Sequence, residues 1–227
     1  MPRALDGLTI AHLSDTHFRG PITVDYFRCA FDHVADMQAD LVVFSGDLLD
    51  EPDLTEWLPA TFGRLSAPLG CWFILGNHDW LVDDARIREA MTSMGWHDLS
   101  GRTQAFEHAG CRIEIAGDET PWMGVPPQFG SHDAVDLRLL LSHTPDNVGR
   151  AATQEVDVML SGHNHGGQVC LPVIGPVYSP SRYGIRYAAG SFRQGATVLH
   201  VSRGISSERP LRWNCPPEIT RIVLRSL

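Results

Sequence analysis

Asp40-Leu41-Val42-Val43-Phe44-Ser45-Gly46-Asp47 carries an unbroken apolar run straight into a glycine and a carboxylate. Apolar residues that do not alternate with polar ones mark a strand buried on both faces, as in a parallel sheet covered by helices. The same pattern recurs along the chain. Residues 8–13 run into Asp15-Thr16-His17, and residues 70–75 into Gly76-Asn77-His78-Asp79. Residues 137–142 run into His143, and residues 156–161 into Gly162-His163-Asn164-His165-Gly166-Gly167-Gln168. Five apolar segments thus end in residues that can bind metals, and ligand sites of α/β sheets gather beyond the carboxyl ends of strands.

The intervening segments complete the fold class. Residues 24–37 place Phe27, Phe31, Val34 and Met37 at helical spacing, and residues 54–65 and 83–94 also read as helices, the latter stopped by Gly95. The second half is richer in β structure. Residues 104–108 and 111–116 form a hairpin pattern around Ala109-Gly110, and residues 120–131 read as a Pro- and Gly-rich loop. Short β-like runs follow at 168–171, 197–202 and 218–224. Strands alternating with helices, then mostly strands, predict an α/β sandwich of two sheets flanked by helices. The 227 residues suit a single domain spanning 1–227.

Composition narrows the function classes. A net charge of −9 and a pI near 5.6 argue against a large nucleic-acid surface. No apolar run approaches the roughly 18 residues of a membrane helix, which leaves peripheral membrane contact open. The five cysteines are scattered without a CxxC pair, the pattern of reduced thiols in a cytoplasmic protein. The first strand begins within eight residues of Met1, a pattern from which no cleaved leader is expected.

Each motif has an ordinary reading when taken alone. Asp15-x-His17 could be a surface loop, Asp47 a helix cap, Asn77 a turn, and His143 a structural histidine. Their joint placement is what those readings fail to explain. Five of the eleven histidines (His17, His78, His143, His163 and His165) lie past strand ends. The other six (His12, His33, His97, His108, His132 and His200) lack that context and read as structural or surface residues. Asn77 offers a neutral oxygen to a hard cation. His78 beside it is free to act on a substrate, and Asp79 could fix its tautomer.

The series Asp-x-His, Gly-Asp-x-x-Asp, Gly-Asn-His-Asp, His and Gly-His-x-His resembles that of the calcineurin-like metallophosphoesterases from Asp15 to His165. With Gly162–Gln168, Val201-Ser202-Arg203-Gly204 and Pro217-Glu218-Ile219-Thr220, it is similar to the bacterial small-phosphodiesterase branch. The departure is Asn164, where a small hydroxyl residue is usual; it is expected to bear on substrate contacts at most. The resemblance implies a four-layer αββα sandwich and two divalent metal ions, with Mn, Fe or Zn suited to the N/O ligand set. It places Asp15, His17, Asp47 and His165 on the first ion. Asp47, Asn77, His143 and His163 would be on the second, with Asp47 bridging. His78 would protonate the leaving group or stabilise charge in the transition state, and Asp50 and Asp79 would support the ligands.

Two such ions about 3.5–4 Å apart can clamp a phosphate and lower the pKa of the water between them. The implied activity is hydrolysis of small-molecule phosphate esters, diesters foremost, because no Lys or Arg lies within a ligand motif. Arg203 is the substrate-binding candidate, with Arg182 and Arg186 behind it. A second reading is a pyrophosphatase on a nucleotide-linked lipid such as a UDP-diacylglucosamine, with residues 121–127 (Pro-Trp-Met-Gly-Val-Pro-Pro) walling an apolar groove. A binding module on an inactive scaffold would be expected to lack ligands or the catalytic histidine, and here every position is filled.

Overall fold

The computed structural model describes residues 1–19, 21–130, 135–207, 209 and 211–226. In chain order its first half comprises β1 (Thr9–Leu13), α1 (Val24–Asp36), β2 (Leu41–Ser45), β3 (Cys71–Ile74), α2 (Asn77–Val82), α3 (Asp84–Ser93) and β4 (His97–Asp98). There follow β5 (Thr103–His108), β6 (Cys111–Asp118), β7 (Leu137–Ser142), α4 (Val148–Thr153) and β8 (Val158–Ser161). The chain closes with β9 (Cys170–Leu171), β10 (Gly175–Pro176), β11 (Gly190–Gln194), β12 (Thr197–Val201) and β13 (Thr220–Val223).

Two mixed sheets result. One has the order β13-β1-β2-β3-β4, the other β11-β12-β8-β7-β6-β5. The inner strands of both are parallel, whereas β13, β11 and β5 join antiparallel at the edges. The period of two along each strand sorts its side chains between layers. Leu41 and Val43 of β2 face the second sheet and meet Leu137, Leu139 and Leu141 of β7. Val42 and Phe44 face the other way, onto Phe27 and Phe31 of α1 and Ile87 and Met91 of α3. Beyond the second sheet, Leu140, Met159, Leu199 and Val201 pack on Val148 and Ala151 of α4. Three apolar cores therefore separate four layers, in the order helix, sheet, sheet, helix.

One expected helix is not formed. Residues 54–65 fold instead as two 3-10 segments, Pro52–Trp57 and Phe62–Arg64. Pro59 has no N–H to give the Thr55 carbonyl and crowds the preceding turn, and Gly63 adds backbone freedom. Contacts such as Leu58 N–H to Thr55 O (3.1 Å) and Leu65 N–H to Phe62 O (3.1 Å) take over the bonding. Asn77, His78 and Asp79 open α2, with Gly76 as its N-cap. The expected loop over 120–131 is irregular through residue 130; Ser131 and His132 lie outside the described residues. No helix among the described residues is long and apolar enough to cross a membrane.

Candidate metal centre

The carboxyl ends of β1, β2 and β3 in one sheet and of β7 and β8 in the other converge on one point. Backbone hydrogen bonds register the loops there. Asp15 N–H donates to Gly46 O (3.0 Å), His17 N–H to Asp47 O (3.1 Å) and Gly162 N–H to His143 O (3.0 Å). His163 N–H donates to Asp15 Oδ1 (3.1 Å) and joins the two sheets. The turns are tight: Asp15, His17, Asp47, His163 and His165 all have left-handed backbone, with φ of 53, 41, 60, 68 and 49°. Such conformations cost non-glycine residues roughly 1–3 kcal/mol each and persist only where the surroundings enforce them. The adjoining glycines leave room for the ligands. A Cβ on Gly162 would lie within 2.3 Å of Asp15 Oδ2, and one on Gly76 within 2.2 Å of Asp47 Oδ1.

The side chains assemble into two adjacent groups. Ligand atoms of Asp15, His17 and His165 lie within 4.8 Å of one another, as do those of Asp47, His143 and His163. Asp47 stands between them: its Oδ2 is 3.5 Å from His17 Nε2 and 3.1 Å from His143 Nε2. Asn77 Oδ1 is 3.2 Å from His143 Nε2. His17, Asp47 and His78 form a third group within the same limit. All seven expected ligands are thus brought together, and Asp47 is central to both sets.

Electrostatics shape the donors. Burial pushes the Asp47 carboxyl up, but His143, His17 and His78 outweigh it and hold it well below the usual carboxylate range. Burial likewise opposes charge on His143, yet Asp47 and Asp15 raise its pKa to about 9. Burial lowers His163 and His165 to about 4, with His143 adding to the effect at His163. Two buried carboxylates among imidazoles need compensating positive charge. Divalent cations fit this donor set, since neutral imidazoles and carboxylates with few other acceptor partners are what they require.

The supporting carboxylates exchange their expected roles. Asp50 Oδ1 lies 2.8 Å from His78 Nδ1 and 2.9 Å from His17 Nδ1, so one carboxylate orients both rings together. Asp79 does not fix the His78 tautomer. It is fully buried and accepts the backbone N–H groups of Asp47 (2.9 Å), Leu48 (2.8 Å), Leu49 (3.2 Å) and Gly76 (2.9 Å). Its place at the start of α2 aims it at the turn that carries Asp47, so it shapes the centre through backbone.

A cavity of about 280 Å³ opens above the cluster, with Asn77, His78, Gln168, Tyr178 and Pro180 on its wall. Arg203 is not among the described residues that line it. Its stem crosses Gly166 and its Nε lies 3.7 Å from Glu218 Oε2. Arg182 donates to Asp146 O and lies over Tyr183, and Arg186 lies over Tyr187. Asn164 is buried and its Nδ2 donates to Tyr187 O (2.7 Å), so it ties down the turn at Gly184–Tyr187. Two further side chains border the site. Trp122 packs on His163 and His143, at ring separations of 4.9 and 5.5 Å. Arg19 Nη1 lies 3.6 Å from Asp50 Oδ2. Arg19 escaped the sequence reading, although it stands only two residues beyond His17, which was the available signal; Trp122 belongs to the 121–127 segment expected to wall a groove.

Residues 8–167 match the family model described as calcineurin-like phosphoesterase. The chain is 34% identical over 235 residues to the uncharacterized metallophosphoesterase YkuE of Bacillus subtilis (strain 168), covering all of this chain and 82% of that protein. It is 28% identical over 223 residues to phosphodiesterase YaeI of Escherichia coli (strain K12), covering 95% of this chain and 81% of the other. It is 23% identical over 272 residues to UDP-2,3-diacylglucosamine pyrophosphatase LpxG of Chlamydia muridarum (strain MoPn / Nigg), covering 95% and 83%. Among solved structures, GAP50 of Plasmodium superposes with a TM-score of 0.54 at 12% identity, covering 88% of this chain and 72% of that one. The chain belongs to the calcineurin-like phosphoesterase family.

Proposed function

From that membership we infer that the chain is a phosphodiesterase working at a two-cation centre. The observation that carries the reading is Asp47 Oδ2, which faces His17 on one side and His143 on the other. Asp15, His17, Asp47 and His165 would hold one ion, and Asp47, Asn77, His143 and His163 the other. Bound divalent cations, with Mn, Fe or Zn suited to these donors, would supply an activated water and neutralise phosphate charge.

The chain's own groups do the rest. Asp50 takes the His78 Nδ1 proton as hydrogen-bond acceptor, which turns Nε2 to the cavity. Protonated there, His78 can hand a proton to the departing alkoxide oxygen or stabilise its charge. Asp79 keeps the Asp47 turn in shape. No arginine is among the described residues on the cavity wall, so the cations and His78 carry the phosphate charge. That supports a singly charged diester over a monoester dianion. Rates on bis-(p-nitrophenyl) phosphate and p-nitrophenyl phosphate, measured on one Mn-loaded preparation, test this. The diester should be faster, and a clear monoester preference overturns the diesterase assignment.

A second reading is a pyrophosphatase acting on a nucleotide-linked lipid. It draws on the relative named as a UDP-2,3-diacylglucosamine pyrophosphatase and on Trp122, which sets the loop over 121–127 against His163. Turnover of a UDP-diacylglucosamine well above that of the nitrophenyl diester would favour it.

A further inference from the structure

We propose that the β9–β10 hairpin, with the strand-like segment around Trp213, docks on an anionic lipid bilayer and holds the mouth of the metal centre against the headgroups. The hairpin is a two-stranded unit outside both large sheets. Isolated two-stranded hairpins are marginal in water. This one is fastened at its base, where Cys170 N–H donates to Trp213 O (2.9 Å) and Trp213 N–H to Gln168 O (2.8 Å). Its outward side chains are nevertheless apolar: Leu171, Val173, Ile174 and Val177 are all exposed, and Trp213 and Tyr178 are exposed beside them. A contiguous exposed patch of this kind marks a binding surface.

Its shape and charge choose the occupant. Val173 and Ile174 are consecutive at the tip, so both faces of the hairpin are apolar there. A protein interface covers one face of a hairpin, whereas an acyl layer surrounds an inserted tip. Val173 holds φ at 70°, a conformation that β-branched residues rarely adopt, and it presents its side chain wholly to solvent. Behind the tip, Tyr178 and Trp213 supply the amphipathic rings that favour the headgroup level. The sequence around the hairpin is basic in an acidic chain. No Asp or Glu lies between Asp157 and Glu208, while Arg182 and Arg186 follow the hairpin, in a chain of net charge −9. Arg182 and Arg186 are exposed shortly after Tyr178, and Arg209 is exposed near Trp213. Every basic residue of the chain is an arginine, whose planar fork suits lipid phosphates. Tyr178 also lines the metal-centre cavity, so docking would bring that opening to the bilayer surface.

The inference concerns binding and does not depend on the hydrolytic reading. The metal-loaded protein should be sedimented with vesicles of phosphatidylcholine alone and of phosphatidylcholine with phosphatidylglycerol. Binding is expected only with phosphatidylglycerol, to weaken as salt rises, and to shift tryptophan emission to shorter wavelength. The double substitution Val173→Asp, Ile174→Asp should weaken partition by at least about tenfold and leave bis-(p-nitrophenyl) phosphate hydrolysis in vesicle-free buffer unchanged. Val173→Gly is the second variant. It suits the left-handed backbone, so it should weaken partition without lowering Tm. Absence of wild-type binding, or equal binding by both variants, overturns the proposal. A wild-type dimer in sedimentation velocity that dissociates in the aspartate variant also overturns it, by assigning the patch to a second copy.

Discussion

His78 is the residue at which the proposed chemistry is most exposed to test. It borders the cavity, contacts Asp50 through Nδ1 and is placed on neither ion. His78→Ala should retain both metals by elemental analysis while kcat on an alkyl diester falls about 10²–10⁴-fold, the usual contribution of a general acid. The loss should shrink for nitrophenyl esters, whose leaving groups need less protonation, and an unchanged kcat on the alkyl substrate refutes the role. At this scale the convergence of the seven expected ligands was legible, because each lies within four residues of the end of an apolar strand. It was not legible for their supports. Asp79 stands next to His78 in the chain, yet α2 turns its carboxylate onto the backbone of residues 47–49. Asp50, from the loop after β2, reaches the His78 ring instead, and only the packing of β2 against β3 decides that. Arg203 follows β12 as the ligands follow their strands, and what the sequence does not show is that its Nε lies 3.7 Å from Glu218 Oε2.

Strands and their loops behave as units, and the loop after β8 is the most constrained of them. A methyl on Gly162 would drive into Ser14 Oγ, at 1.8 Å, and into Asp15 Oδ2. Gly162→Ala should therefore displace the Asp15 turn, lower metal content below two ions per chain and destabilise by about 1–3 kcal/mol through overpacking. Gly149→Ala in α4 is the contrasting case. Its added Cβ meets only Tyr183 Oη at 3.8 Å, so it should stabilise by up to about 1 kcal/mol from helix propensity. Urea titrations of both variants check the pair, and equal effects would deny the loop its special rigidity. Element type was legible where apolar runs were continuous, as in β1, β2, β3, β7 and β8. It failed over residues 54–65, where apolar spacing was helical but Pro59 removed the bond that a helix needs. The two-residue strands β4, β9 and β10 carry too few side chains for any period to show.

Over the whole molecule, the buried ionisable groups between the sheets set the limits of stability. His12 on β1 is fully buried, its Nε2 lies 2.9 Å from Ser45 Oγ, and burial chiefly lowers its pKa to about 3. A histidine depressed in the folded state binds its proton on unfolding. Its effect is absent above pH about 6.5 and costs stability as pH falls toward about 3, by about 1.4 kcal/mol per unit. His12→Gln should thus lose less stability than wild type on going from about pH 7.5 to about pH 5; parallel urea curves for the two proteins would contradict it. The proposed cations act on the same interface in the opposite sense. Asp15, Asp47 and Asn77 come from one sheet, and His143, His163 and His165 from the other, so ions at this centre would tie the two sheets together across their carboxyl ends. Ligand binding restricted to the folded state adds about 4 kcal/mol when free metal exceeds Kd about a thousandfold. Stripping with a chelator should lower Tm by several degrees, roughly 2–4 °C per kcal/mol for a chain of this size, and restored Mn should return it. Asn77→Ala removes a neutral donor and leaves the carboxylates in place, so it should forfeit only part of that gain. If chelation leaves Tm unchanged while elemental analysis confirms that metal has gone, the sheets are held by their apolar core alone and the ions contribute chemistry without stability.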